Sequence, residues 1–242
     1  MFATDRKLPV SGGAEKRSYV RAMFHSVAPT YDFLNHLLSA NLDRRWRRQT
    51  VDRLDWERVP AGLYLDFCAG TLDLAVELAR RPGFSGKVIG SDFVPRMLRL
   101  GRGKADRVLP LAADALEFPH PDETFDGATV GFGVRNLMDL DAGLREVARV
   151  LKPGARLAIL ELSAPHWQPL RGMYFAYFKH LLPALGNLLS HHENAYRWLP
   201  ESVAVFPEPE ALAARMRGAG FINVRYTRLI GGICAIHVGE RA

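Results

Sequence analysis

Leu65-Asp66-Phe67-Cys68-Ala69-Gly70-Thr71-Leu72-Asp73 is a short apolar run closed by an acid, then small residues, then the start of a helical pattern. In an open parallel sheet such a strand–turn–helix passage sets small side chains where a ligand lies over the carboxyl end of the strand. Gly70 permits close backbone approach to that ligand. The stretch lacks the GxGxxG spacing of a dinucleotide site, which disfavours a pyrophosphate. Asp66 and Asp73 would also repel phosphate, but they suit a ligand carrying an ammonium and a sulfonium.

Working outward, strands are expected at Leu63–Phe67, Lys87–Ser91, Val108–Ala112, Gly127–Gly131 and Arg156–Leu162. Helices are expected at Leu72–Arg80, Val94–Gly101 and Asp141–Leu151, the last opened by Asp141 and ended by Lys152-Pro153-Gly154. Alternating strands and helices predict a doubly wound, mostly parallel α/β sheet covered on both faces. A last helix at Pro209–Ala219 leads to two β-rich runs, Asn223–Leu229 and Ile233–Val238, joined by Gly231-Gly232 as a hairpin. Ahead of this domain (61–242), residues 1–15 read as a disordered tail and 16–60 as a helical lid. In the lid Val20, Met23, Phe24 and Val27 recur at helical spacing, and Asp43–Leu54 is a basic amphipathic helix. Trp46, Val51 and Leu54 should face inward there, and Arg44, Arg45, Arg47 and Arg48 mostly outward. Residues 166–206 form an apolar insertion rich in aromatics and Leu. It either completes the core or lines a groove for an apolar ligand at a membrane surface.

Further acids close the next strands. Asp92 ends the second and can accept both hydroxyls of a ribose. Asp114-Ala115 ends the third, placed for an adenine amino group. Together the three strand ends describe a nucleoside pocket without phosphates.

Composition is that of an ordinary globular chain: 242 residues, 48% hydrophobic and 24% charged, with a net charge of +6. The basicity allows an acidic partner, anionic lipid headgroups among them. Cys68 and Cys234 lie far apart and outside CxxC spacing, so a reducing cytoplasm is the default and a zinc site is not expected. His191-His192-Glu193 lacks a helix-face i, i+4 pair and reads as a solvated loop rather than a metal site. The first residues have no signal-type apolar region, and no apolar run is long enough to span a bilayer.

Two longer stretches are specific. Tyr31-Asp32-Phe33-Leu34-Asn35 with Leu38-Ser39 and Trp46, and Arg149-Val150-Leu151-Lys152-Pro153-Gly154 with Glu161 and Ser163, resemble the two signatures of the ubiquinone/menaquinone biosynthesis methyltransferases. Gly131-Phe132-Gly133-Val134-Arg135-Asn136 resembles the family's FGxRN stretch, and the similarity runs from about Arg21 to Gly239. The resemblance implies a Rossmann-like class I methyltransferase sheet of seven strands with an antiparallel last strand. It implies S-adenosyl-L-methionine as methyl donor, contacting Thr71, Asp92, Asp114 and Ala115, and a polyprenyl quinol as acceptor. Such a donor carries its own leaving group and calls for no metal, a prenylated acceptor calls for contact with the inner membrane surface from the cytoplasm, and no aromatic-basic interleaving points to nucleic acid; a homo-oligomer is allowed. The chain departs from the family pattern at four positions. Leu72 stands for the last glycine of the cofactor loop, where it either crowds the ligand or packs under the new helix. Gly131 stands for a cofactor-contacting Ser, Asp43 for a His, and Ala155 for a Gly.

Within that frame Arg135, with Asn136 beside it, is the candidate to hold the developing oxyanion of the quinol, the alternative being a structural salt bridge. Tyr31 and Asn35, one helical turn apart, are candidates to orient the quinol head. Two other functions compete: methylation of another small phenol or lipid, and a silent cofactor-fold protein blocked by Leu72 whose basic helix binds a partner or nucleic acid.

Overall fold

The strand Leu63–Phe67 (β1) is buried on both sides. Successive side chains of a strand alternate faces, and β1 accordingly sends Tyr64 into one hydrophobic cluster and Leu65 and Phe67 into the other. A computed structural model describes residues 8–10, 13–165, 167–177 and 193–242. Around β1 it builds one seven-stranded sheet. The further strands are Lys87–Asp92 (β2), Val108–Ala112 (β3), Phe125–Gly131 (β4), Leu151–Leu162 (β5), Phe221–Leu229 (β6) and Cys234–Arg241 (β7). Their order is β3-β2-β1-β4-β5-β7-β6, with β3, β2, β1, β4 and β5 parallel and β7 antiparallel to both its neighbours. The sheet turns outward on both sides of β1, and the loops at the carboxyl ends of β1, β2 and β4 open onto that divide, where ligands of such sheets bind.

The described helices are Gly13–Val27 (α1), Tyr31–Leu38 (α2), Leu42–Asp52 (α3), Asp73–Ala79 (α4), Pro95–Gly101 (α5), Leu140–Val150 (α6), Gln168–Ala176 (α7), Glu193–Val205 (α8) and Pro209–Gly218 (α9). Several boundaries differ from the sequence reading for local reasons. Asp139, not Asp141, caps α6: its Oδ1 accepts from Ala142 N at 2.9 Å. Lys152-Pro153-Gly154 does not end that helix but lies within β5, where the pairing with β4 skips from Phe125–Leu151 to Gly127–Arg156. The helix α1 begins at Gly13, and Leu8 and Val10 pack on the Val20, Met23 and Trp198 cluster, so this part of the expected tail is held by apolar contact. Arg47 is not outward but buried beneath the lid, because its i−4 neighbour Asp43 is buried with it and the two pair. In the apolar insertion, Tyr174 of α7 is buried against Leu34 and Val203. The stretch 178–192, with His191 and His192, lies outside the described residues.

Leu72 occupies the left-handed region at φ 71°. Its side chain is buried (1% exposed), packed with the core cluster of α4 and β2. Gly90 makes the room: a Cβ there would collide with Leu72 Cδ2, whereas one on Gly101 would first meet the backbone of Thr71. The residue therefore packs under the helix and leaves the ligand side of the loop clear.

We expect Gly90→Ala to cost about 1–3 kcal/mol of stability by overpacking. The same change should be close to neutral on a Leu72→Ala background, because the far end of Leu72 is its one close clash. Urea denaturation of the four proteins measures that coupling.

Candidate functional site

At the carboxyl edge of the sheet, the loop after β1 is held down by a buried carboxylate. Asp92, at the end of β2, accepts from Gly70 N at 2.9 Å and from Val94 N at 2.8 Å. It is nearly enclosed, and burial pushes its pKa up to about 6, although both backbone donors favour the charged form. Below the loop, Asp66 points into the sheet: Thr129 Oγ1 donates to it at 3.0 Å and Ala75 N at 3.0 Å. Complete burial raises its pKa to about 7, against those two hydrogen bonds.

A cleft of roughly 630 Å³, counting its open mouth, lies over this edge. Its lining includes Gly70, Asp92, Asp114, Ala115 and Asn136 from the sheet loops, and Arg17, Phe24 and Tyr31 from the lid. Gly70 has φ +55°, and only Met97 Cε and Tyr31 Cε1 lie within 4 Å of where a Cβ would stand, so its bare backbone faces the cleft. Asp114 Oδ1 accepts from Leu116 N at 3.0 Å, and its Oδ2 is 2.7 Å from Arg17 Nη2.

Asp66, Thr71 and Gly131 are not part of that lining. Thr71 donates to Asp32 of α2, and Lys104 Nζ bridges Asp32 (2.9 Å) and Asp73 (2.7 Å). This chain of charges fastens the lid to the loop. Gly131 faces Leu74 and Arg47; a Cβ there would stand 3.4 Å from Leu74 Cδ2 and 3.9 Å from Arg47 Nη1.

Beyond the cleft lies a second, larger cavity, of roughly 1690 Å³ counting its mouth. Its wall is mostly apolar, built by α1, α2, α3, α7, α8 and the β6–β7 corner. Tyr31, Phe24 and Phe132 line both cavities and divide them. Tyr31 meets Phe24 edge to face, with ring centroids 5.8 Å apart. Burial raises the pKa of the Tyr31 hydroxyl, while Arg47, Asn35 and Arg135 favour its ionised form. Asn35 Nδ2 itself completes no hydrogen bond of good geometry.

Of the Arg-Asn pair after β4, Asn136 faces the cleft and Arg135 the apolar cavity. Arg135 Nη1 donates to Glu161 Oε1 and to Phe132 O, both at 2.6 Å. The salt-bridge alternative for Arg135 is thus realised. The bridge also leaves Nε without a partner among the described residues, so the guanidinium is fixed by one edge and retains a donor. Asn136 Oδ1 accepts from Trp198 Nε1 at 2.9 Å.

Sequence reasoning gave no role to Glu161, Trp198, Arg47 or Lys16. For Arg47 the Asp43–Arg47 i, i+4 spacing was the available signal. The family's missing His at 43 has a local counterpart: His36 Nδ1 lies 2.8 Å from Asp43 Oδ2, and Ser39 Oγ donates to Asp43 Oδ1 at 2.8 Å. Burial works to raise the Asp43 pKa, but these bonds and Arg47 outweigh it and lower it. Among the described residues no three His, Cys, Asp or Glu side chains converge to hold a metal ion.

The raised Asp66 pKa has a stability consequence. Between its unfolded value of 3.8 and about 7, the folded protein binds the extra proton, so this group's contribution to stability is lost as pH rises through about 7. Asp66→Asn can keep the bond from Ala75 N and donate to Thr129 Oγ1. Its melting temperature should gain on the wild type as pH goes from 5 to 8, by a few degrees. A constant difference across that range, measured by calorimetry, would disprove the assignment; referencing to wild type cancels the opposite trend of His237, whose pKa is lowered to about 4.

A profile of the ubiE/COQ5 methyltransferase family matches residues 13–241. The chain is 49% identical over 224 residues to the demethylmenaquinone methyltransferase of Thermus thermophilus, covering 90% of this chain and all of that one. It is 42% identical to the ubiquinone/menaquinone biosynthesis C-methyltransferase UbiE of Geobacter sulfurreducens, covering 98% and 94%. Among solved structures, it is similar to a SAM-dependent methyltransferase of Thermotoga maritima, with a TM-score of 0.64 at 21% identity over 91% of this chain and all of that one. A SAM-dependent methyltransferase of Aquifex aeolicus gives 0.54 at 22% identity, covering 79% and 92%. These two likenesses establish the fold.

Proposed function

Since the chain belongs to the ubiE/COQ5 methyltransferase family, we propose that it methylates a ring carbon of demethylmenaquinol, with the cleft holding the donor and the apolar cavity the acceptor. It is an S-adenosylmethionine-dependent methyltransferase of quinone biosynthesis. The observation that carries the division of labour is the shared wall: Tyr31 and Phe132 border both spaces, with Asn136 on one side and Arg135 on the other.

The cleft fits the donor. The bare backbone of Gly70 leaves space against the loop, and Asp92 and Asp114 present carboxylate oxygens to hydroxyl and amino groups. Leu72, turned into the core, does not obstruct it, which removes the ground for a silent protein. When bound, S-adenosylmethionine supplies an electrophilic methyl, so no metal is called for. Gly70, Asp92, Asp114 and Ala115 would hold it, while Asp66 and Thr71 would act from behind by fixing the loop.

The acceptor must become electron-rich at one ring carbon, which happens as its hydroxyl ionises. A phenolic pKa near 10 must fall by about 3 units to ionise at neutral pH, roughly 4 kcal/mol of preferential stabilisation of the anion. Arg135 is our candidate for that work, since it lines the apolar cavity and Glu161 fixes its orientation. Tyr31 and Asn35 orient the ring from the lid. The low-dielectric wall of the cavity strengthens each of these contacts and accommodates a prenyl tail. Arg135 stays protonated, so the leaving proton goes to water or a neighbouring group.

A prenylated acceptor reaches the cavity from lipid. Met173 and Ile230 at the cavity wall are 62% and 51% exposed, and Phe33, Leu37 and Trp167 are also exposed apolar residues of α2 and the start of α7. Arg44 and Arg45, exposed on α3, are cations suited to anionic headgroups. Among the described residues no helix is long and apolar enough to cross a membrane, so we assign a peripheral contact to this face.

Arg135→Ala should lower kcat by at least about a hundredfold, the usual scale for losing an oxyanion donor, measured with a short-chain demethylmenaquinol. A rate within about threefold of wild type, well under the few kcal/mol that such a donor supplies, would end the assignment. Phe33→Ser with Leu37→Ser should reduce co-sedimentation with anionic phospholipid vesicles while leaving kcat on a detergent-dispersed short-chain acceptor unchanged. Equal sedimentation would count against the lipid-facing role of α2.

A further inference from the structure

Lys16 of α1 is buried, 6% exposed, yet no carboxylate pairs with it among the described residues. Its Nζ donates to Leu137 O at 2.7 Å and to Arg135 O at 3.1 Å. Both acceptors belong to the short turn after β4 that carries Arg135 toward the apolar cavity and Asn136 toward the cleft. Trp198 of α8 holds the same turn through Asn136 and packs on Val20 and Met23 of α1. The three residues 135–137 are thus gripped from the lid side, two by their carbonyls and one by its side chain.

A buried ammonium without a counter-ion is costly. Two carbonyls could be served by a neutral donor, so anchoring alone does not call for the charge. Burial and the neighbouring Arg135 both lower the Lys16 pKa, as expected of two cations held close together. Glu161 already pairs with Arg135, so of these charges the Lys16 ammonium is the one left without a carboxylate among the described residues.

We infer that Lys16 is a positioning residue for methyl transfer: it seats the Arg135 turn against α1 and places a second positive charge behind Arg135, favouring an anionic acceptor hydroxyl. This rests on the reading of Arg135 as the group that faces that hydroxyl. The other charged and titratable groups about this region are accounted for: Glu161 is engaged by Arg135, Arg17 by Asp114, and Asp43 by His36 and Arg47. Arg197 and Glu201 of α8 act on Tyr19, and Tyr31 stands across the cavity.

The test is the pH dependence of kcat for the full chain with S-adenosylmethionine and a short-chain demethylmenaquinol. In wild type, kcat is expected to rise with pH through an acid limb set by ionisation of the bound acceptor. Lys16→Met should move that limb up by about one pH unit, lowering kcat about tenfold on the limb, while the Kd for S-adenosylmethionine stays within about twofold. Lys16→Arg should restore the limb. A lower kcat with the limb in place means an anchor only, and overturns the inference; so does a loss that appears only in the donor Kd. If Lys16→Met gives no cooperative melt, Lys16→Gln, a neutral donor, replaces it with the same outcomes. Arg135→Ala run alongside separates the two readings. If it retains wild-type rate, the Arg135 assignment fails and Lys16 falls with it; if it loses activity while Lys16→Met keeps its limb, Lys16 alone is refuted.

Discussion

A carboxylate taken out of water and given two backbone N–H donors can pin a loop more firmly than a neutral acceptor, because hydrogen bonds to charge are roughly twice as strong. Asp92 does this for the turn after β1, joining Gly70 of that turn to Val94 at the head of α5. The bond adds to those from Ala69 N to Ser91 O and from Leu72 N to Ala69 O, and it is the one made by Gly70 itself. With it, the small residues over β1 and the acid at the end of β2 become one rigid surface. Asp92 is also part of the cleft wall, so the group that shapes the loop faces the cleft as well.

The rest of the site follows from how the lid is fastened to that surface. The polar links to the cleft edge include Asp32 to Thr71 and Lys104, Arg17 to Asp114, and Lys16 to the turn bearing Arg135. Each ends on a different loop of the sheet edge. Exposed ion pairs contribute little to stability, and the Arg17–Asp114 pair is of that kind. The Lys16 links are buried and correspondingly hard to give up. Between these attachments, Phe24 and Tyr31 of the lid close the wall that separates the two cavities, so the lid is part of both sites.

The sheet was legible because its strands are short apolar runs bounded by turn residues, and the acids at their ends mark the ligand edge. That logic led to Asp92, Asp114 and Gly70, which all line the cleft. Asp66 was found too, but not its direction: strand alternation puts its side chain on the Tyr64 face, where Thr129 and the start of α4 await it, and that consequence of period two was available in the sequence. Arg47, Glu161 and Lys16 were harder, since each is a charged residue whose burial depends on partners tens of residues away. Helical spacing says which side of α3 is polar; it does not say that Asp43 and Phe132 make a niche for a guanidinium.

Leu72 is instructive in the same way. A branched side chain in the left-handed region works against the backbone by about 1–2 kcal/mol, and from the loop alone it could as well have pointed at the donor as away from it. The space it turns into is left by Gly90, which does not belong to the loop. Burying a leucine completely is worth roughly 1.5–3 kcal/mol, enough to offset the backbone cost. The departure from a glycine is therefore a local exchange of conformational freedom for packing, made beneath the loop, and it leaves the cleft side of the loop clear.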